Sequence, residues 1–200
     1  MPAADGRRLR RDRNRDAVVD ALLDLIRAGE MAPSADAVAA RAGLSARSVF
    51  RYFDDIDDLC RVAITHQLAA VRPVLHTAIS AAGPLDERIA ALVGQRVRLF
   101  EAMGSVGTFA RLRAPFQPLV AEQLDTARRI LRDRLRATLG PELDTLDVET
   151  ADSIVAAADV LCSFESFRLL REVHGRSARA AAGVMTDGVR ALLAAAAVRA

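Results

Sequence analysis

Between Ser34 and Phe53 the chain reads SADAVAARAGLSARSVFRYF, two short stretches of helical spacing separated by Ala42-Gly43-Leu44. Ser34 and Ser45 stand where side-chain oxygens can cap the starts of the two helices, and Gly43 supplies a turn that a residue with a Cβ resists. Val38 and Ala39 are the inward residues of the first helix. The second is expected over Ala46 to Phe53. Successive side chains on it rotate by about 100°. With Val49 and Phe53 turned into a core, Arg47, Ser48 and Arg51 point away from it, and Phe50 and Tyr52 lie on the flanks. That is the layout of a helix-turn-helix, whose second helix can lie in the major groove of DNA, where arginine reaches guanine O6 and N7 or the phosphates. An ordinary amphipathic helix with a solvated face has the same pattern, and the segment alone leaves both readings open.

Upstream, Val18, Val19, Leu22, Leu23 and Ile26 place one apolar face on a helix of about four turns that ends at Gly29. Downstream, Asp55 to Val71 gives a fourth helix, with Pro73 after it, and the apolar spacing stays close to 3.6 residues to the end of the chain. Further helices are predicted over 74–81, 85–103, 106–113, 117–139, 149–174 and 177–198. Gly83-Pro84, Gly104, Ala114-Pro115, Gly140-Pro141 and His174-Gly175 punctuate them. No segment alternates with period two. The expected fold class is all-α, with an N-terminal three-helix helix-turn-helix domain over 14–60 and a C-terminal helical ligand-binding and dimerisation domain over 61–200. A basic flexible arm, 1–13, precedes them.

The net charge of +2 hides an uneven distribution. Residues 1–15 hold six arginines (Arg7, Arg8, Arg10, Arg11, Arg13 and Arg15) against Asp5 and Asp12, while the rest of the chain carries more acids than arginines. Such a basic arm suits a partner with a phosphate backbone, with Arg10 and Arg11 as its candidate contacts; a solvated tail is the alternative. No lysine occurs in the chain, so a lone arginine carries little information. Hydrophobic residues make up 52% of the chain, enough for a packed core rather than a disordered chain. No apolar run is read as reaching the roughly 18 residues of a membrane span, and the start has no apolar segment behind its charges. A cytoplasmic protein with no membrane partner is therefore expected.

Cys60 and Cys162 sit in apolar helical surroundings, as buried reduced thiols do. His66, His76 and His174 are scattered, so no metal site and no cofactor are expected. Two apolar stripes close the chain. The first includes Ile154, Leu161, Phe164 and Leu169, and the second Val184, Val189 and Leu192. Doubled by a twofold axis they would form a four-helix bundle, so Leu161, Phe164, Leu169, Val184, Val189 and Leu192 are candidate dimerisation residues, with an intrachain core as the competing reading. Phe100, Met103, Phe109, Phe116, Leu124, Phe164 and Phe167 concentrate the aromatic and flexible apolar side chains. They are candidates to line a pocket for a small hydrophobic or amphipathic effector, although such a set also suits a plain core.

With GLSARSVFRYF as its third helix and an all-α remainder, the chain resembles the TetR family of one-component transcriptional regulators. The resemblance is strongest over about 15–60 and recurs in LCSFESFRLLREVHG and the alanine-rich final helix. It implies a homodimer whose two recognition helices read a palindromic operator in double-stranded DNA, and an effector pocket in each C-terminal domain; repression is the family's usual mode. By position, Ser34 would cap the second helix against a phosphate and Ser45, Ala46, Arg47 and Ser48 would occupy the base-reading start of the recognition helix. Phe50, Arg51 and Tyr52 match the segment that contacts bases and backbone. The chain departs from the family pattern at Pro33, Asp36, Phe50 and Ile56. Phe50 stands where a tyrosine is common and lacks the hydroxyl, and Asp54, Asp55, Asp57 and Asp58 crowd the position of a common lysine, where acids repel phosphate.

Two other function classes remain. A dimeric binding protein with a non-functional helix-turn-helix would account for the acidic run. An all-α enzyme has little support: the sequence holds no P-loop, G-x-S-x-G, H-E-x-x-H or C-x-x-C motif. Asp54 and Asp58 do sit at helical spacing, but at a helix start, where compensation of the dipole explains them without catalysis. No catalytic residue is assigned.

Overall fold

The structure, a computed structural model, describes the backbone of residues 3–198 and the side chains of 8–198. Nine α-helices and one 3-10 turn follow in order, with no strand among the described residues: α1 (Ala3–Arg27), α2 (Ala35–Ala42), α3 (Ala46–Val49), α4 (Ile56–Leu75), α5 (Leu85–Arg113), the 3-10 turn Ala114–Phe116, α6 (Pro118–Leu143), α7 (Val148–Leu161), α8 (Phe164–Glu172) and α9 (Ala178–Ala197). The all-α expectation holds. Ser34 and Ser45 cap their helices as expected, and Asp147, Ser163 and Ser177 do so as well, each accepting a hydrogen bond from a backbone N–H three residues on. At the end of α2, Gly43 takes the left-handed conformation (φ 67°), with Gly43 N–H bonded to Ala40 O and Leu44 N–H to Ala39 O. This pair of bonds is a Schellman ending, and it turns the chain tightly into α3.

Several boundaries differ from those expected. Instead of a flexible arm over 1–13 with the helical domain beginning at 14, α1 is continuous from Ala3. No helix covers 74–81; α4 runs on through Pro73 to Leu75. The stretch 149–174 is broken at Cys162-Ser163 into α7 and α8. Gly104 interrupts α5 with φ 48° and ψ −139°, backbone that only glycine adopts without strain. By mean hydropathy and length, α9 is apolar enough to cross a membrane, contrary to the expectation that no segment reaches that size. Its alanines account for this, while its Ala181, Met185, Val189, Leu193 and Ala196 form a buried stripe.

The chain divides into two compact units, one of residues 1–70 with 103–124 and the other of 71–102 with 125–200, so the division is not the simple one near residue 60. The core of the first unit joins Val18, Leu22 and Ile26 of α1, Val38 of α2, Val49, Phe53, Leu59 and Ile64 to Val106, Phe109 and Val120. In the second unit Ile89, Leu92, Leu135, Leu139, Ile154 and Met185 are among the buried side chains. Arg96 is buried there as well. Its guanidinium donates to Asp159 Oδ1 at 3.1 Å, to Cys162 O at 2.8 Å and to Leu131 O at 2.9 Å, while Arg132 Nε takes Asp159 Oδ2 at 3.2 Å. One carboxylate thus balances a charge that water cannot reach.

Removing that carboxylate strands the charge. Asp159→Ala should lower stability by about 3 kcal/mol, the low end for a broken buried pair because Asp159 keeps some solvent. Arg96→Met should cost clearly less, measured as the shift in urea midpoint at unchanged slope. Equal losses would place the effect in packing rather than charge.

Candidate nucleic-acid interface

The residues expected to read DNA all lie in the first unit, on or beside α3. Four residues of α-helix are fewer than expected, but Arg51, Tyr52 and Phe53 N–H continue the turn through bonds to Ser48 O and Val49 O. Val49 and Phe53 are buried; Arg47, Phe50 and Arg51 are exposed; Ala46, Ser48 and Tyr52 are half-buried. Ser34 and Ser45 spend an oxygen lone pair on capping, Ser34 Oγ accepting from Ala37 N–H at 3.2 Å and Ser45 Oγ from Ser48 N–H at 3.3 Å. Arg10 and Arg11 are exposed on α1.

Helix α1 supplies a contact that the motif did not suggest. Asn14 Nδ2 donates to Tyr52 Oη at 3.3 Å, and Arg51 Nη2 donates to the same oxygen at 2.8 Å. The Arg51 guanidinium also lies over the Tyr52 ring at 5.0 Å, and Arg15 over the Phe53 ring at 5.1 Å. Both lone pairs of the phenol are engaged by these N–H donors, which leaves its own O–H free to donate. The hydrogen bonds from Asn14 and then Arg51 favour the phenolate and hold Tyr52 below the usual tyrosine range. Asn14 and Arg15 lie one turn before Val18 and Val19, so continuing the apolar stripe backwards by i−4 would have found them.

The acidic run is largely accounted for. Asp55 Oδ1 accepts from Asp58 N–H at 2.7 Å and so caps the start of α4, where negative charge also meets the positive end of the helix. Asp58 pairs with Arg61, and Asp57 with Arg113 at 2.7 Å. Gln117 Nε2 fixes the Asp57 carbonyl at 3.1 Å. Asp58 also accepts from Asp54 N–H, so the pair acts as part of the cap.

The candidate effector residues do not form one set. In the second unit Phe100 packs edge-on against Phe164 at 5.6 Å and, tilted, against Phe167 at 5.7 Å. Phe109 and Leu124 belong to the core of the first unit, where Met103 is buried too, and Phe116 is 80% exposed. An open groove of about 600 Å³ lies elsewhere in the second unit, lined by Ile154, Ala157 and Leu161 of α7 and Gly188 and Leu192 of α9. Of the candidate dimerisation residues, Leu161 and Leu192 are half-buried and line this groove, Leu169 and Val184 are exposed, and Phe164 and Val189 are buried within the chain. Among the described residues no group of three or more His, Cys, Asp or Glu is placed to hold a metal. Burial pushes both thiols up, Cys60 and Cys162 each to about 11.

Tyr52 is the sole tyrosine and the chain has no tryptophan, so its ionisation can be followed by ultraviolet absorbance without interference. It should ionise below the ordinary value of about 10, and Asn14→Ala should raise the midpoint; an unmoved midpoint would mean the Asn14 bond does not form in solution.

No protein-family profile matches the sequence, and no curated protein matches it. The fold does match a crystal structure from Rhodococcus sp. of a protein provisionally assigned as a TetR-family transcriptional regulator, with a TM-score of 0.59 at 16% identity, covering 90% of this chain and 99% of that one. The match covers most of the described helices, and in fold the chain is similar to a TetR-family regulator.

Proposed function

We propose that the chain is a cytoplasmic, non-enzymatic transcriptional regulator that binds a palindromic operator in double-stranded DNA as a homodimer and acts as a repressor released by a small hydrophobic or amphipathic effector. The observation that carries this reading is the outer face of α3. Arg47 and Arg51 stand in solvent while Val49 and Phe53 anchor the helix from behind. Arg51 retains most of its five N–H donors beyond the one engaged by Tyr52, and Arg47 lies one turn before it. The pairing of Asp57 and Asp58 with arginines supports the reading over one in which the helix-turn-helix is without function.

Dimerisation is supported by the exposed Leu169 and Val184 and by the groove at Leu161 and Leu192, with Phe164 and Val189 holding their helices from inside. Effector binding rests on the Phe100, Phe164 and Phe167 rings, which touch; a ligand entering there has to part them.

Selection of bound sequences from random duplex DNA at near-physiological salt tests the reading. A recovered palindrome with half-site centres about 34 Å apart, or a multiple of that, is the expected result; no enrichment would overturn it. Arg47→Ala and Arg51→Ala should each weaken binding to the recovered site by about 1–3 kcal/mol per half-site where the arginine is bidentate to a base. A titration in which variant and parent agree would remove that residue from the readout.

A further inference from the structure

A dry guanidinium with an unmet donor lies in the second unit beside the ring cluster. Arg96 is 1% exposed, and its Nη1 and Nη2 atoms are taken up by Asp159 Oδ1, Cys162 O and Leu131 O. Its Nε–H finds no acceptor among the described residues. A buried donor left in that state is costly.

Positive charge is also in surplus there. Asp159 faces two guanidinium groups, Arg96 through Oδ1 and the exposed Arg132 through Oδ2. Half-buried Arg134 donates to Leu75 O and pairs with no carboxylate among the described residues. Loss of water and then repulsion from Arg96 hold Arg134 below the usual arginine range, so the two cations feel each other. Three arginines thus meet a single carboxylate.

The rings stand next to this charge. Phe100 follows Arg96 by one turn on the same face of α5, and Phe164 lies two residues beyond Cys162, whose carbonyl Arg96 holds. Phe100, Phe164 and Phe167 are all buried and packed together. A molecule that parts the rings therefore enters beside the Arg96 guanidinium.

We infer that the effector is an apolar monocarboxylate, its body among Phe100, Phe164 and Phe167 and its carboxylate accepting from Arg96 Nε–H. The inference rests on the effector reading above and narrows it. A neutral ligand also fills a ring cluster, but only an anion offsets the surplus charge, and a carboxylate oxygen is the acceptor that the Nε–H lacks.

Calorimetry on the full chain compares two matched pairs of probes, 2-naphthoate with 2-naphthamide and decanoate with decanamide. Within each pair the apolar body is constant and the charge changes. In at least one pair the carboxylate should bind about tenfold tighter than the amide, as expected of a charge-assisted hydrogen bond in a dry site. Arg96→Met should abolish that preference. Asp159→Asn keeps an acceptor for Arg96 and removes the competing charge, so it should tighten the carboxylate and leave the amide unchanged. Loss of structure alone weakens both members of a pair alike.

Amides bound as tightly as the carboxylates in both pairs would overturn the inference and leave an apolar effector site at the rings. A preference that survives Arg96→Met, or gains nothing from Asp159→Asn, would place the headgroup elsewhere and likewise overturn it. Binding of no probe would overturn the inference and the ring-cluster site together, while the DNA-binding reading is judged separately by the selected palindrome.

Discussion

One turn of helix does not persist in water by itself, because nucleation fixes several backbone dihedrals for a single hydrogen bond. The four residues of α3 exist because Val49 and Phe53 are held in the core of the first unit and because Ser45 and the Gly43 turn fix where the helix begins. The outward directions of Arg47 and Arg51 depend on this anchor. Its shortness is useful: with so few residues, the direction of Arg47 and Arg51 is set by the surrounding core, not by the helix's own stiffness.

Charge is managed in two ways. In the second unit Arg96 is dry, and its balance depends on the single carboxylate of Asp159 and two carbonyls. In the first unit Asp54, Asp55 and Asp57 stand in solvent and Asp58 is half-buried, so the ion pairs there contribute little to stability. Their pairing matters for a different reason. Arg113 and Arg61 lower the local negative potential beside α3, and the start of α4 absorbs part of the rest. A run of four aspartates that reads as hostile to DNA thus becomes a helix cap with counter-ions.

The helix-turn-helix was legible because its signals are local. Ser34, Gly43 and Ser45 act on their nearest backbone neighbours, and the burial of Val49 and Phe53 follows from spacing alone. What stayed hidden depends on other parts of the chain. Arginine is a good helix former but carries no apolar period, so α1 looked like a tail before Val18. Pro73 and Pro141 read as breaks, yet each falls inside the last turn of its helix. Ser163 sits within helical spacing, so its cap on α8 was masked by the apolar stripe around it. The aromatic set misled in the same manner: closeness in sequence placed Phe100 and Phe109 together, but the chain sends one to each compact unit. The dimer and effector assignments remain those of a surface and a ring cluster, which spacing marks as apolar without saying what covers them.

Both cysteines are sealed in cores, and burial keeps them protonated far above neutral pH. Peroxide reacts with thiolate, not with thiol. In the folded state neither Cys60 nor Cys162 is therefore placed to react with peroxide as a thiolate.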